Sequence, residues 1–289
     1  MKMQSSLLSV LLVIFRVTLA LQDPTCTFAN YPFVIGIKET FSFRHVCGGS
    51  LVKPNTVLTL ASCIIERKDI PGFFTAVAGP SSIGRVGSQR VIAQRVVVHK
   101  RFDRSRNMND VGLLILSGEF ELSQLVAVVR IPEQFILEDI GKLHRKAVAI
   151  GWGPYHPGKR LTDDNRYLFN PKLNCIKLNI LSESNCKIAR KGFGFEPNKI
   201  CAWVPLGNED MCQGDAGGPL VSNGTQYGIV SVGFGCDSSK SPAFYERIDR
   251  VLDIFKQPYQ VEIEYRSRSI NNLPVFYVIP FFIVFEIKL

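Results

Sequence analysis

The stretch Cys212-Gln213-Gly214-Asp215-Ala216-Gly217-Gly218-Pro219-Leu220 is a glycine-rich turn leading into a strand. Its glycines let the backbone bend until several N–H groups converge on one point, the arrangement an oxyanion requires. A turn of this kind ordinarily presents a nucleophile. Here the central side chain, Ala216, is a methyl group with nothing to donate to a carbonyl carbon. The strand continues through Leu220-Val221 to Asn223-Gly224, and Tyr227-Gly228-Ile229-Val230 follows, so Asn-Gly reads as a hairpin turn. Asn223-Gly224-Thr225 is equally a glycosylation sequon, and both readings put Asn223 on the surface.

Upstream of this turn, short apolar runs alternate with turn residues: Phe33 to Ile37, Val57 to Leu60, Phe74 to Ala78, Val91 to Val98, Val111 to Leu116, Ala147 to Trp152 and Ile176 to Ile180, with Gly228 to Val232 beyond it. Many short strands at this spacing predict a sandwich or barrel. Two helices are expected, one after a serine-rich cap at Ser182 to Ser184 and one from about Arg247 to Phe255. Gly153 to Asn174 is polar and rich in Pro, Gly and Asp, which predicts an exposed loop. Lys100-Arg101-Phe102-Asp103-Arg104-Ser105-Arg106 is the densest basic cluster and reads as a solvated surface turn before a polyanion site.

Of 289 residues 46% are hydrophobic and 20% charged, with 23 Gly and 16 Pro, which excludes a disordered tail and a collagen. Residues Met1 to Ala20 begin with Lys2, run through apolar Leu7 to Phe15 and end on small residues, the pattern of a secretory signal peptide. A membrane-spanning helix needs about 20 apolar residues, and Arg16 interrupts this run too early. Removing Lys2 and Arg16 lowers the formal charge from +9 to +7, which favours acidic or glycan surfaces over any particular one. Nothing points to nucleic acid.

An even eight cysteines behind a signal peptide read as four disulfides, and spacing alone does not pair them. No C-x-x-C spacing and no close pair of histidines supports a metal site, and no cofactor is implied. The expected organisation is a signal peptide over 1–20, one domain over 21–260 and an extension over 261–289. The extension's apolar run, Leu273 to Phe285, is broken by Pro274 and Pro280 and is too short to span a bilayer.

The chain resembles the chymotrypsin/trypsin family of serine protease domains. The matching stretches are Val46-Cys47-Gly48-Gly49-Ser50-Leu51, Val57-Leu58-Thr59-Leu60-Ala61-Ser62-Cys63, Asn109-Asp110-Val111-Gly112-Leu113-Leu114, Gly151-Trp152-Gly153, the Gly-Asp-Ala-Gly-Gly-Pro turn, and Gly228-Ile229-Val230-Ser231-Val232-Gly233 to Cys236. They stand in the family's order over roughly Cys26 to Pro258. The resemblance implies an all-β fold of two antiparallel six-stranded barrels with a C-terminal helix and a substrate cleft between the barrels. It also implies disulfides Cys26–Cys175, Cys47–Cys63, Cys186–Cys201 and Cys212–Cys236. Where many relatives carry one further bridge, this chain has Ala147 and Ser222.

Carried over residue by residue, the resemblance implies a degenerate catalytic triad. The family's general base is the histidine directly before the second cysteine of the Cys47–Cys63 pair, and Ser62 stands there. The orienting carboxylate is kept as Asp110, and the nucleophile has become Ala216. Hydroxyl attack needs both a nucleophile and a base near neutral pKa. None of the four histidines, His45, His99, His144 and His156, replaces that base. Asp110 still needs a donor, so the Ser62 hydroxyl is expected to hydrogen-bond to it, directly or through a water.

The family's new N-terminus pairs with the aspartate before the nucleophile, here Asp215, and orders an oxyanion turn at Gly214 and Asp215. Ala20 to Thr25 offers neither a basic cleavage residue nor the family's usual Ile-Val-Gly-Gly start, so a zymogen-like turn is expected. The specificity pocket maps to Asp210 at its base and Ser231, Gly233 and Ala243 on its walls. Val232 replaces the usual Trp, and Ala243 replaces a Gly, so its methyl is expected to narrow the slot.

The expected function is that of a secreted, extracellular, catalytically inactive homologue acting by protein binding. It would serve as cofactor, decoy or regulator of protease cascades, its partner a protease, an inhibitor or a protein of immune or reproductive fluid. An active trypsin-like endopeptidase is the alternative, and polyanion or membrane-surface binding a third.

Overall fold

A computed structural model describes residues 26–79, 88–152, 173–189, 198–203, 216–231 and 242–256. The apolar runs become strands because alternate side chains face one side. In Asn174–Ile180, Ile176, Leu178 and Ile180 are buried while Lys177 and Asn179 are exposed.

Six antiparallel strands close the first barrel: β1 (Val34–Glu39), β2 (His45–Lys53), β3 (Thr56–Thr59), β4 (Phe74–Ala78), β5 (Gln89–Val98) and β6 (Gly112–Leu116), in the order β1-β2-β3-β6-β5-β4. Six more close the second: β7 (Lys146–Gly151), β8 (Asn174–Ile180), β9 (Lys199–Trp203), β10 (Pro219–Ser222), β11 (Thr225–Val230) and β12 (Ala243–Arg247), in the order β10-β11-β12-β9-β8-β7. Closure leaves no unpaired sheet edge in either barrel.

Ile35, Ile37, Leu51, Phe74 and Leu114 belong to one buried cluster, and Ile176, Leu178, Ile200, Leu220 and Tyr245 to another. A third cluster joins residues from both halves of the chain, with Leu58, Leu60 and Val111 beside Ile229, Ile248, Val251 and Ile254.

The β10–β11 connection is the expected two-residue hairpin. Asn223 (φ 50) and Gly224 (φ 73) both take left-handed backbone, as a type I′ turn requires, and Ser222 pairs with Thr225. Asn223 is exposed.

Among the described residues, three short helices are α1 (Ala61–Ile64), α2 (Ile140–Leu143) and α3 (Glu183–Ala189). The last follows the serine-rich cap, where the Asn185 N–H donates to Ser182 Oγ at 3.3 Å. The expected C-terminal helix differs in kind: it is two 3₁₀ turns, Ile248–Arg250 and Leu252–Lys256. Buried Ile248, Val251 and Ile254 recur every third residue, matching the 3₁₀ period rather than the α period. Among the described residues no helix is long and apolar enough to cross a membrane.

Disulfides join Cys26 to Cys175, Cys47 to Cys63 and Cys186 to Cys201. The pair Cys212–Cys236 lies outside the described residues, as does most of the expected loop Gly153 to Asn174, although its last residue, Asn174, already begins β8. At the two positions without the further bridge, Ala147 is buried and Ser222 Oγ donates to the Lys146 carbonyl at 2.7 Å.

Candidate catalytic site

β3 and β6 are paired, with Thr59 opposite Gly112, so the chain leaving β3 and the chain entering β6 meet. Ser62 lies in α1, three residues beyond Thr59, and Asp110 two residues before Gly112. The Ser62 N–H donates to Asp110 Oδ1 at 2.6 Å and the Ser62 hydroxyl to Asp110 Oδ2 at 2.7 Å. The expected hydrogen bond is therefore present and direct. Asn109 sets the approach with φ 50, a left-handed conformation that asparagine tolerates, and its side chain donates to the Arg101 carbonyl at 2.9 Å.

Asp110 is buried, and burial pushes its carboxyl above the usual carboxylate range despite the two Ser62 donors and the Lys199 charge, which pull it down. Lys199 belongs to a second buried ionic group that sequence reasoning missed. It sits opposite Glu246 across β9 and β12, and its Nζ is bonded to Glu246 Oε1. Both side chains are buried. Burial pushes the Glu246 carboxyl up to about 7 against the pull of Lys199, and the Asp110 charge raises it further. Glu246 Oε2 has no hydrogen-bond partner among the described residues. The available signal was a glutamate inside Phe244-Tyr245-Glu246-Arg247-Ile248, where strand patterning leads one to expect an apolar or exposed residue.

Ala216 is buried in the third apolar cluster with Cys47, Leu58, Leu60, Val111 and Ile229, and partly buried Cys63 packs against that cluster. The chain neighbours of Asp110 and Ser62 thus share a cluster with the Ala216 methyl. The turn is held by its backbone: Gly48 N–H donates to the Ala216 carbonyl at 2.7 Å and Gly217 N–H to the Val230 carbonyl at 2.8 Å. Gly217 has φ 85, and a Cβ there would come within 2.3 Å of the Gly48 carbonyl oxygen and 2.4 Å of Thr59 Oγ1. Only glycine fits.

The other predicted site residues are divided. Gly214, Asp215, Asp210 and Gly233, and with them Val232 and the N-terminal segment, lie outside the described residues. Asn107 Nδ2 donates a long bond to Ser231 Oγ at 3.5 Å. Ala243 is half-buried and packs against the second barrel's core.

Each described histidine is engaged elsewhere. His45 stands edge-on to Trp152, the rings 6.1 Å apart, and His99 Nε2 lies 2.8 Å from Asp253 Oδ1. His144 stacks on Tyr227 at 4.3 Å, and burial lowers its pKa. His156 lies outside the described residues.

The basic loop is largely answered by carboxylates. Arg104 bonds Glu66 at 3.0 Å, Arg106 bonds Asp103 at 2.7 Å, and Lys100 and Arg101 reach Asp253 at 3.7 and 3.4 Å. Hydrogen bonds from Ser105 and then Arg106 hold the Asp103 carboxyl well below the usual range.

The trypsin family model matches residues 23–255. The trypsin of Sus scrofa is 29% identical over 235 residues, spanning 81% of this chain and 92% of that protein. Chymotrypsin-2 of Vespa crabro is 32% identical over 225 residues, spanning 78% and 92%. Among solved structures, neuropsin, a serine protease expressed in the limbic system of mouse brain, superposes with a TM-score of 0.66 at 26% identity, covering 80% of this chain and 96% of that one.

Proposed function

The chain belongs to the trypsin family, and from that premise we propose that it is a secreted, catalytically inactive member that works by binding other proteins. The observation that carries this reading is the pairing of Ser62 with Asp110. The hydroxyl in the general-base position is bonded to the very carboxylate that would orient an imidazole. An alcohol does not take up a proton near neutral pH, so it cannot relay one from an attacking group. The methyl of Ala216 supplies no atom for covalent attack. With both roles empty, what remains is a disulfide-linked pair of barrels able to recognise a partner without cleaving it. Cofactor, decoy and regulator of a protease cascade are the roles open to it, with a protease, a protease inhibitor or another extracellular-fluid protein as partner.

The similarity to trypsins and chymotrypsins favours the alternative of a working endopeptidase. Labelling with a serine-directed fluorophosphonate separates the two. No covalent adduct is expected on the purified protein, and an adduct on any residue of this site would overturn the proposal.

A further inference from the structure

Away from Ser62 and Ala216, the β1–β2 hairpin ends in the tip Thr40-Phe41-Ser42-Phe43-Arg44, whose aromatic rings point away from the barrel core. Phe41 is 89% exposed and Phe43 is also exposed. Phe43 has φ 54, a left-handed backbone that disfavours a bulky side chain. Exposure and strain together give no stability, yet the tip is fixed. Thr40 N–H donates to the Phe73 carbonyl at 2.8 Å, and its hydroxyl to the Gly72 carbonyl at 2.7 Å. Phe43 N–H donates to the Glu39 carbonyl at 3.0 Å, and Arg44 Nε to Glu39 Oε1 at 2.9 Å.

The two Thr40 bonds fasten the tip to the 70–73 loop, where Ile70 is 56% exposed and the Arg67 guanidinium lies 5.2 Å from the centre of the Phe73 ring. On the other flank the Arg90 guanidinium stands 5.1 Å over the Phe43 ring. Ile92, exposed, follows two residues along the same outward side of β5. Phe41, Phe43, Ile70 and Ile92 are thus interleaved with Arg67 and Arg90. Lys68 and Arg44 add to their charge, against Glu39, already bonded to Arg44, and Asp69.

From this geometry we infer that the β1–β2 tip and the 70–73 loop form a docking surface for a partner protein, which presents a segment carrying both carboxylate and apolar side chains. Arginine and aromatic residues dominate interface hot spots, and guanidinium groups pair with carboxylates through two parallel hydrogen bonds. A tip whose backbone is held in place before contact lowers the ordering cost of association. A second copy of this chain would bring like charge against like charge. The inference rests on the binding reading and supplies it with a surface and a class of partner.

The test uses the whole secreted protein and a fluorescein-labelled peptide of Glu alternating with Leu and Phe, followed by anisotropy. Counterparts carry Lys for Glu, or Ser for Leu and Phe. The first peptide is expected to bind, and each counterpart to bind at least about tenfold more weakly. Phe41→Ser, and separately Arg67→Glu with Arg90→Glu, are expected to weaken binding by about the same factor. Leu137→Ser, at a leucine 84% exposed in the loop before α2, is expected to change nothing.

Absent binding, or equal binding by the Phe41→Ser protein, would overturn the inference. So would retention on a sulfated oligosaccharide that depends on the arginines but not on Phe41, or self-association abolished by Phe41→Ser. Fluorophosphonate labelling of the same sample is read independently. An adduct removes the non-catalytic reading whatever the anisotropy shows, and lost peptide binding without an adduct removes only this surface.

Discussion

At Asp110 a buried carboxylate without an imidazole keeps two donors, because one serine supplies both its N–H and its hydroxyl. Ser62→Ala removes the second and leaves Asp110 Oδ2 without it, so it is expected to destabilise the protein by about 1–3 kcal/mol in chemical denaturation. Ala216→Ser alone is expected to give no ester hydrolysis, since no base stands beside the new hydroxyl. Adding Ser62→His is expected to recover little on the expectation of a zymogen-like turn, and substantial recovery would count against that expectation. Gly217→Ala drives a methyl into the Gly48 carbonyl at a positive φ, and is expected to prevent folding or lower the Tm sharply. The Ser62 contact is legible in the amino-acid sequence because Asn109-Asp110 and Ala61-Ser62-Cys63 sit inside motifs that fix their place. Lys199 and Glu246 are not legible there, since each looks like an ordinary surface charge until strand register sets one against the other.

Among the elements, β9 and β12 carry the features that apolar runs do not announce. Both interrupt their hydrophobic patterning with charged residues whose burial depends on the cross-strand partner. The C-terminal turns are legible as helical but not as 3₁₀, because the choice follows from which side chains the third cluster accepts.

The buried pair also sets a pH dependence. The folded value for Glu246, about 7, lies above its ordinary 4.5, so its contribution to stability is complete below about pH 4.5 and is lost as pH rises through about 7. Asp110, raised as well, acts in the same direction, while His144, lowered by burial, acts in the opposite one. The Glu246 contribution is therefore read by difference. Lys199→Met with Glu246→Leu is expected to flatten the fall in Tm between about pH 5 and pH 8 relative to wild type, while matching or exceeding its stability. Lys199→Met alone is expected to cost about 3–5 kcal/mol at about pH 8, because it leaves Glu246 buried without its cationic partner.

Over the whole molecule, the disulfide Cys26–Cys175 ties the segment before β1 to β8 across 149 residues of sequence. Replacing both cysteines by serine is expected to lower stability by about 2–5 kcal/mol in urea titration without changing the barrels. The apolar runs alone leave sandwich and barrel open, the two-barrel architecture follows from the family resemblance that the ordered motifs carry, and closure is observed in β1 against β4 and β7 against β10. The proposed absence of catalysis is a question about this whole arrangement, since it asks whether any group in the folded chain can replace the missing base and nucleophile together. Hydrolysis of an arginyl ester by the purified protein asks that question most directly. A rate indistinguishable from buffer at every substrate concentration is expected, and turnover that saturates with substrate and persists after removal of contaminating enzymes would contradict the non-catalytic reading.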